Sequence, residues 1–272
     1  MSSLERVIVS GRFDDIKSRD LRFLEEAAKP GELSVLLWPD VTLQRLTGKA
    51  PKFPLAERRY FLNAVRYVSR VIEADGGASF DALPKKLRAS IWADVEATAN
   101  SAREKFATAS KIVYRVFKSD ELKGFPEPPL LPSMPGRKKV VVTGSYDWFH
   151  SGHVRFLEEV SAYGDLYAIV GHDANIRLLK GEGHPLVPQD ERRYVVGSIK
   201  YVKQALISTG EGWLDADPEI KRLKPDIYAV NEDGDKGGKR EYCEKLGIEY
   251  LVLKRTPAPG LPRRNSTDLR GF

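Results

Sequence analysis

Short apolar runs recur through the second half of the chain, and stretches with helical periodicity separate them. The runs cover residues 140–142, 166–170, 205–207, 227–230 and 250–253. Runs of this length are typical of strands that are buried on both faces of a sheet. Their alternation with helical segments predicts an α/β fold with a parallel, doubly wound sheet, whose ligands bind outside the carboxyl ends of the strands.

The first half of the chain contains a second copy of this pattern. Residues 7–26 (VIVSGRFDDIKSRDLRFLEE) align with residues 140–159 (VVVTGSYDWFHSGHVRFLEE) at an offset of 133 residues. Further pairs at or next to this offset are Gly31 with Gly164, Asp40 with Asp173, Gly48 with Gly181, and residues 57–60 with residues 191–194. A repeat of this length predicts two copies of a whole fold.

A proline-rich segment lies between the two copies. Residues 126–136 read PEPPLLPSMPG, which is typical of a semi-rigid linker. We therefore predict domains over residues 1–125 and 138–272, joined by a linker over residues 126–137. The similarity fades beyond Val71, and residues 81–106 have the pattern of one or two amphipathic helices. The N-terminal copy is therefore expected to be incomplete.

The composition indicates a globular protein with anionic partners. The chain has 272 residues, 42% of them hydrophobic, and a formal net charge of +6. Basic and acidic residues are interspersed, so a phosphorylated substrate explains the charge as well as nucleic acid does. No apolar run reaches the roughly 18 residues of a membrane span, and the N-terminus lacks the apolar core of a signal peptide. With one cysteine, Cys243, the sequence predicts a cytoplasmic protein that has no membrane partner.

The segment TGSYDWFHSGH, residues 143–153, concentrates the candidate chemistry. It contains two of the four histidines, His150 and His153, where a predicted strand gives way to a helix. Gly152 lets backbone N–H groups approach an anion, and a helix N-terminus supplies about half a positive charge. Imidazoles at positions i and i+3 share one face of the first turn, so both can donate to one phosphoryl group. A zinc site would need three or four ligands, so the pair predicts a phosphate site instead.

This segment and three later ones resemble the cytidylyltransferase-like nucleotidyltransferases, which include glycerol-phosphate cytidylyltransferases and a domain of the heptose-phosphate enzymes. The four segments are HSGH (150–153), LYAIVGHDANIRLLKG (166–181), ERRYVVGSIKYV (191–202) and RRNSTDLR (263–270). The resemblance implies a Rossmann-like fold in both copies. It also implies transfer of a nucleotidyl group from a nucleoside triphosphate to a phosphorylated small molecule, with release of pyrophosphate and with Mg²⁺ as cofactor.

The resemblance also implies roles for individual residues. His150, His153 and Lys180 are the candidate catalytic residues, and Asp173 and Trp213 are candidate acceptor contacts. The candidate nucleotide-binding residues are Gly144, Ser145, Tyr146, Asp147, Gly152, Arg192, Asn231, Asp233, Arg263, Arg264, Ser266 and Thr267. Residues 231–233 replace the family's usual G-x-D segment, and NSTDLR stands where an I-S-T-T form is common. Base choice and the role of each arginine therefore stay open.

The N-terminal copy lacks these chemical groups. Lys17, Arg19, Asp20 and Thr47 stand where the second copy has His150, Gly152, His153 and Lys180. A carboxylate would repel a triphosphate, and an arginine side chain would fill the space that glycine leaves open, so we predict an inactive copy. We expect a monomer in which the two copies form an internal pseudo-dimer. Asp147 and Arg192 have counterparts in the inactive copy, so structural roles stay open for both.

Three functions remain possible at this stage. The first is a cytidylyltransferase that uses CTP. ATP is the alternative donor, because residues 173–181 also resemble the adenylyl-transferring heptose enzymes. A nucleotide-binding regulator without catalysis is the third, although the intact His150, His153 and Lys180 favour an enzyme. Nucleic-acid binding is not expected, because the chain has no basic motif interleaved with aromatic residues.

Overall fold

Each half of the chain folds around a five-stranded parallel sheet. The computed structural model describes residues 5–74, 87–127 and 135–266, and the chain divides into two compact units, residues 1–124 and 125–272. Most of the predicted linker, residues 128–134, lies outside the described residues. Phe125, at the start of the second unit, packs against Tyr194 with ring centroids 5.6 Å apart.

The N-terminal domain alternates strands and helices. Its strands are β1 Glu5–Gly11, β2 Gly31–Leu37, β3 Arg70–Glu73, β4 Ile91–Val95 and β5 Val113–Phe117. Its described helices are α1 Ser18–Ala28, α2 Asp40–Thr47, α3 Leu55–Ala64 and α4 Ser101–Ala109. A short 3-10 helix, Ser119–Leu122, follows β5.

The C-terminal domain has the same alternation. Its strands are β6 Lys139–Gly144, β7 Asp165–Val170, β8 Val202–Ile207, β9 Ile227–Asn231 and β10 Glu249–Leu253. Its helices are α5 Ser151–Ser161, α6 Asp173–Lys180, α7 Gln189–Gly197, α8 Asp217–Leu223 and α9 Lys239–Leu246. Each of the five predicted apolar runs lies in one of these strands. The predicted α/β class with parallel sheets is therefore confirmed.

The two sheets have the same topology. Their strand orders are β3-β2-β1-β4-β5 and β8-β7-β6-β9-β10. The register is repeated as well, because Val7 pairs with Leu33 as Val140 pairs with Leu166. Close backbone approach explains one glycine common to both copies. A Cβ would lie 2.0 Å from the backbone oxygen of Glu5 at Gly31, and 2.2 Å from that of Lys138 at Gly164.

The structure corrects the prediction that the N-terminal copy is incomplete. All five strands are present, and β4 lies in the segment that was predicted to be helical. Trp92 in β4 is fully buried against Phe106 and Tyr114. Periodicity cannot separate a short buried strand from a helical segment, which explains this error. The helical prediction holds from Ser101 onward, where α4 begins, and residues 75–86 lie outside the described residues.

The central strands of the C-terminal domain are buried on both faces. Val140, Val141 and Val142 of β6 are fully buried, and Ile220 of α8 and Cys243 of α9 belong to the core on one side of the sheet. After β8 the chain crosses back through α8 to β9, so the strand order reverses between β6 and β9. Parallel α/β sheets bind ligands at such a reversal. Within the parts of the chain that the structure describes, no helix is long and apolar enough to cross a membrane.

Candidate active site

A cavity of about 480 Å³ lies at the carboxyl ends of β6 and β9. This volume lies in the range of about 300–1,000 Å³ that is typical of small-molecule sites. The lining residues are Thr143, Gly144, Ser145, Tyr146, Gly152, His153, Phe156, Lys180, Val230, Asn231, Asp233, Gly234, Lys239 and Arg255. The cavity therefore brings together predicted site residues that are far apart in the sequence.

His150 and His153 together cap helix α5. The Nδ1 atom of His150 accepts a hydrogen bond from the backbone N–H of Gly152 at 3.1 Å. The Nδ1 atom of His153 accepts one from the backbone N–H of His150 at 3.3 Å. This reciprocal pattern is a capping box, built here from two imidazoles. Backbone geometry therefore fixes the position of both rings.

The capping hydrogen bonds determine the tautomer of both histidines. Because each Nδ1 accepts an N–H, the proton of the neutral ring lies on Nε2. Burial, with Arg255 and Arg264 nearby, lowers the pKa of His150 to about 4. Burial, with the charges of Arg255 and Lys180, holds the pKa of His153 well below its ordinary value. Both rings are therefore neutral near pH 7, and the buried Nε2 of His150 has no partner among the described residues.

Aromatic packing explains the burial of His153. Its ring stacks on Phe149, with centroids 5.3 Å apart, and meets Tyr146 edge-on at 5.5 Å. The two imidazole centroids are 4.0 Å apart. Gly152 is needed for this arrangement, because a Cβ there would lie 3.0 Å from the Nδ1 of His150.

The turn after β6 forms one wall of the cavity. The Nζ of Lys180, at the end of α6, donates to the Oγ of Ser145 at 2.7 Å. Tyr146 has a left-handed backbone with φ of 50°, and its ring lies over Gly144. The Tyr146 hydroxyl is buried and has no partner among the described residues, and burial raises its pKa. An unsatisfied buried hydroxyl costs about 1–3 kcal/mol, so a ligand contact would relieve this cost.

The opposite wall follows β9 and β10. The Oδ1 of Asn231, the last residue of β9, is buried without a partner among the described residues. Asp233 forms an ion pair with Arg255. Lys239 donates to the backbone oxygen of Gly234 at 2.7 Å, and burial lowers the pKa of this lysine. Sequence analysis missed Arg255 and Lys239, because both lie outside the motifs. For Arg255, its position just after a predicted strand was the available signal.

The second predicted signature lies beside the N-terminus of α5. Arg263 and Arg264 line a narrow crevice next to Gly152, and not the main cavity. The backbone oxygen of Arg264 accepts a hydrogen bond from Arg255 at 2.9 Å. Ser266 donates from Oγ to the backbone oxygen of Trp148 at 3.3 Å, and Thr267 lies outside the described residues.

Comparison with known proteins identifies the family. The sequence model described as cytidylyltransferase-like matches residues 141–264. A protein named FAD synthase from Ferroglobus placidus is 39% identical over 120 residues, which cover 43% of this chain and 75% of that protein. The chain belongs to the cytidylyltransferase-like family. The predicted resemblance is confirmed, and the protein is a nucleotidyltransferase.

Two further relatives match a similar share of this family member. FAD synthase from Pyrococcus horikoshii is 42% identical over 120 residues, which cover 43% of this chain and 78% of that protein. Bifunctional protein HldE from Aliarcobacter butzleri is 32% identical over 120 residues, which cover 44% of this chain but 24% of that protein.

Asp147 supports a loop in this nucleotidyltransferase. Its carboxylate accepts hydrogen bonds from the backbone N–H groups of Leu186 and Val187 at 2.6 Å and 3.1 Å. It also lies 3.1 Å from the Nδ1 of His184. Asp147 is buried and does not line the cavity. These contacts show that Asp147 supports the 184–187 loop, and its nucleotide contact stays a prediction.

Arg192 and Asp173 likewise frame the site without lining it. The buried guanidinium of Arg192 donates to the backbone oxygens of Ser145 and Val187, and it pairs with Asp173 at 2.7 Å. Arg192 thus ties the turn after β6 to the loop before α7. The nucleotide contact of Arg192 and the acceptor contact of Asp173 stay predictions.

The cavity offers few side chains that could ligate a divalent cation. The described residues contain no group of three or more His, Cys, Asp or Glu side chains that could hold a metal ion. Asp233 is the one carboxylate among the lining residues, and it pairs with Arg255. Mg²⁺ commonly retains several waters and binds through one or two carboxylates together with substrate phosphates. The site therefore fits a cation that is held mainly by a triphosphate.

Proposed function

We propose that the C-terminal domain transfers the adenylyl group of ATP to a phosphate oxygen of a small phosphorylated acceptor, with release of pyrophosphate. The observation that carries this proposal is the capping box of two neutral imidazoles. His153 lines the cavity together with Lys180 and Arg255, and the ring of His150 lies next to that of His153, with centroids 4.0 Å apart. Neutral donors and cations at one place suit a phosphate chain whose charge is redistributed during reaction.

The reaction requires in-line displacement at the α-phosphorus. An oxygen of the acceptor phosphate forms a bond to the α-phosphorus, and the bond to the oxygen that bridges to the β-phosphorus breaks. The electron pair leaves with pyrophosphate. We assign His150 and His153 to the α-phosphoryl oxygens, where charge develops. Because the capping hydrogen bonds hold both rings, their donors need no reorganisation during the reaction.

The basic residues take the rest of the phosphate chain in this proposal. Lys180 is assigned to a phosphate near the turn at Ser145, from which its Nζ is 2.7 Å away. Arg255, Arg263 and Arg264 are assigned to the β- and γ-phosphates, because Arg255 and the two signature arginines approach α5 from the β10 side. A divalent cation bound to the triphosphate would neutralise the leaving pyrophosphate.

The remaining lining residues are assigned to the nucleoside. Gly144 and Tyr146 offer a surface at the end of β6, and Ser145 holds Lys180. Asn231 ends β9 and Asp233 follows it, and the Oδ1 of Asn231, which has no partner among the described residues, is an acceptor for an N–H on the base edge. The exocyclic amino groups of adenine and cytosine both fit this acceptor, so Asn231 does not decide between them.

The choice of ATP rests on the relatives. Proteins named FAD synthase are 39% and 42% identical to this chain, and a synthase of flavin adenine dinucleotide requires an adenylyl donor. CTP is the second candidate, because the matching family model is described as cytidylyltransferase-like.

We also propose that the N-terminal domain is not catalytic. Its counterpart of the histidine pair is Lys17 and Asp20, and Lys17 is in an ion pair with Asp15 at 2.9 Å. Asp20 accepts the backbone N–H of Lys17 at 2.8 Å. A carboxylate has no proton to donate to a phosphoryl oxygen, so this cap lacks the feature on which the proposal rests.

A pyrophosphate-release assay of the full chain tests these assignments. Each of the four nucleoside triphosphates is offered with Mg²⁺ and a panel of acceptors, namely FMN, glycerol 3-phosphate, phosphoethanolamine and sugar phosphates, and products are identified by mass spectrometry. We expect turnover with ATP. Turnover with CTP alone would transfer the assignment to cytidylyl transfer. Triphosphate binding without turnover across the panel would identify a regulator and refute the proposed activity.

A further inference from the structure

Trp213 lies exposed at the carboxyl edge of the C-terminal sheet. Its side chain is 53% exposed, whereas the other three tryptophans are buried or half-buried. It belongs to a short 3-10 helix, Gly212–Leu214, on the loop between β8 and α8. The same loop crosses the end of β7, because a Cβ atom added to Gly171 would lie 3.2 Å from the carboxylate of Asp215. The indole is therefore on the side of the sheet where the cavity opens.

The loop that carries Trp213 is held firmly. The buried amide of Asn175 donates to the backbone oxygen of Gly212 at 3.0 Å and accepts from the backbone N–H of Gly212 at 2.8 Å. His172 adds a hydrogen bond from Nε2 to the backbone oxygen of Gly210 at 2.8 Å. A side chain on such a loop loses little conformational freedom when a ligand binds, because its backbone is already ordered.

Two glycines cover part of the indole. A Cβ atom added to Gly237 would lie 3.6 Å from the indole of Trp213, and one added to Gly238 would lie 3.7 Å from it. The ring therefore packs directly on the backbone of these glycines. These glycines lie between Gly234 and Lys239, which both line the cavity and are joined by a hydrogen bond of 2.7 Å. The indole therefore adjoins the loop that forms the cavity wall.

We infer that Trp213 is a stacking surface for a planar ring of the acceptor. The inference rests on the proposed nucleotidyl transfer and names its substrate class, a phosphate ester that carries a flat aromatic ring system. With its phosphate near His150, His153 and Lys180, such an acceptor extends along the loop at residues 234–239 and places its ring on the indole. Stacking needs no polar partner, and its strength grows with the area of both rings.

Kinetics of the full chain with ATP and FMN test this inference. The variants are Trp213→Ala, Trp213→Phe and the matched control Leu178→Ala, which removes an exposed apolar side chain (71% exposed) from α6. We expect Trp213→Ala to raise the KM for FMN about tenfold or more, which corresponds to about 1.4 kcal/mol. The KM for ATP should change less than about twofold, and Trp213→Phe should retain most of the affinity for FMN because a ring remains. Leu178→Ala should match the wild type.

A binding measurement separates stacking from effects on turnover. Wild-type protein should quench the fluorescence of FMN in a titration, and Trp213→Ala should lose most of this quenching. An unchanged KM for FMN in Trp213→Ala, or an equal rise for ATP and FMN, would overturn the stacking role while leaving adenylyl transfer intact. Turnover confined to acceptors without a ring would overturn the substrate class. Absence of turnover with every triphosphate and acceptor would instead remove the proposed function, and this inference with it.

Discussion

The two domains cap equivalent helices, α1 and α5, with different side chains. In the N-terminal domain the backbone N–H of Lys17 donates to the carboxylate of Asp20 at 2.8 Å. In the C-terminal domain the backbone N–H of His150 donates to the Nδ1 of His153 at 3.3 Å. A carboxylate cap is an acceptor at both oxygens, whereas an imidazole cap keeps a second nitrogen that carries a proton. The histidines therefore add an N–H donor and still cap the helix.

Burial acts on both caps by the same principle. It raises the pKa of Asp20 and lowers the pKa of His150, because burial disfavours the charged form of either group. For Asp20 burial favours the neutral acid over the carboxylate. For His150 it favours the neutral imidazole, which keeps an N–H donor at Nε2.

The scaffold, by contrast, is the same in both copies. Asp14 accepts from the backbone N–H groups of Lys52 and Phe53 at 2.8 Å, as Asp147 does from the loop before α7. Arg58 donates to the backbone oxygens of Phe53 and Arg12 and pairs with Asp40, as Arg192 does with Asp173. Contacts that persist in the copy without the histidine pair indicate support of the fold. Comparison of the two copies therefore distinguishes residues that support the fold from residues that differ at the candidate active site.

The largest expected effect follows from replacing the two histidines that cap α5. His150→Ala and His153→Ala should each lower kcat by about 10²–10³, the scale of losing one preorganised donor to a developing charge. Lys17→Ala should leave kcat unchanged, because the N-terminal domain is proposed not to be catalytic. Steady-state kinetics and thermal unfolding of the three variants check this. Near-wild-type turnover of both histidine variants at unchanged stability would exclude the assigned role.

Replacement of the arginine that both domains have in common, Arg58 or Arg192, tests its role in stabilising the fold. Arg58→Ala and Arg192→Ala should each destabilise their own domain by roughly 2–3 kcal/mol, because each leaves buried carbonyl oxygens and a partly exposed carboxylate without a partner. Arg137→Ala is the control, since its ion pair with Asp165 at 3.1 Å involves a side chain that is 51% exposed. Differential scanning calorimetry measures all three. A loss of turnover in Arg192→Ala at unchanged stability would show that the comparison misassigns this residue.

The histidine pair should make stability depend on pH in the C-terminal domain. The pKa of His150 is about 4 in the folded state against an ordinary value of 6.5, so between these values the unfolded chain binds a proton that the folded chain does not. Stability present above pH 6.5 should therefore fall as the pH decreases towards 4, by about 1.4 kcal/mol per pH unit for one such group. Urea unfolding at pH 7 and pH 5 checks this. His150→Gln should reduce the dependence, and Lys17→Gln should leave it unchanged.

The smallest effect concerns one hydroxyl. Tyr146 and Phe13 occupy equivalent positions, both with left-handed backbones, φ of 50° and 43°. Because phenylalanine serves the fold at this position, Tyr146→Phe should leave stability equal or raise it by up to about 1 kcal/mol, since a buried unsatisfied hydroxyl is removed. If the hydroxyl contacts the nucleotide, the KM for ATP should rise several-fold. Unfolding and kinetics of one preparation measure both. A clear loss of stability without a change in KM would make the hydroxyl structural.

The sequence by itself determined the architecture of the C-terminal domain, the duplication and the histidine pair. The five apolar runs are strands, and those in β6, β7 and β9 are buried, since the interior of a parallel sheet excludes polar side chains from both faces. The sequence did not predict strand β4, because its five residues around Trp92 are too few for periodicity to distinguish a strand from a helix.

The tertiary structure alone decided which polar residues face the cavity. Asp147 and Arg192 lie in motifs beside the histidines, but their side chains turn to the backbone of neighbouring loops. Arg255 lies outside every motif and still reaches the cavity, because β10 ends at the same sheet edge as β6 and β9. Sequence order records which residues are adjacent along the chain. The direction of each side chain depends on contacts that form only when distant strands pair, so the order of residues along the chain does not predict that direction.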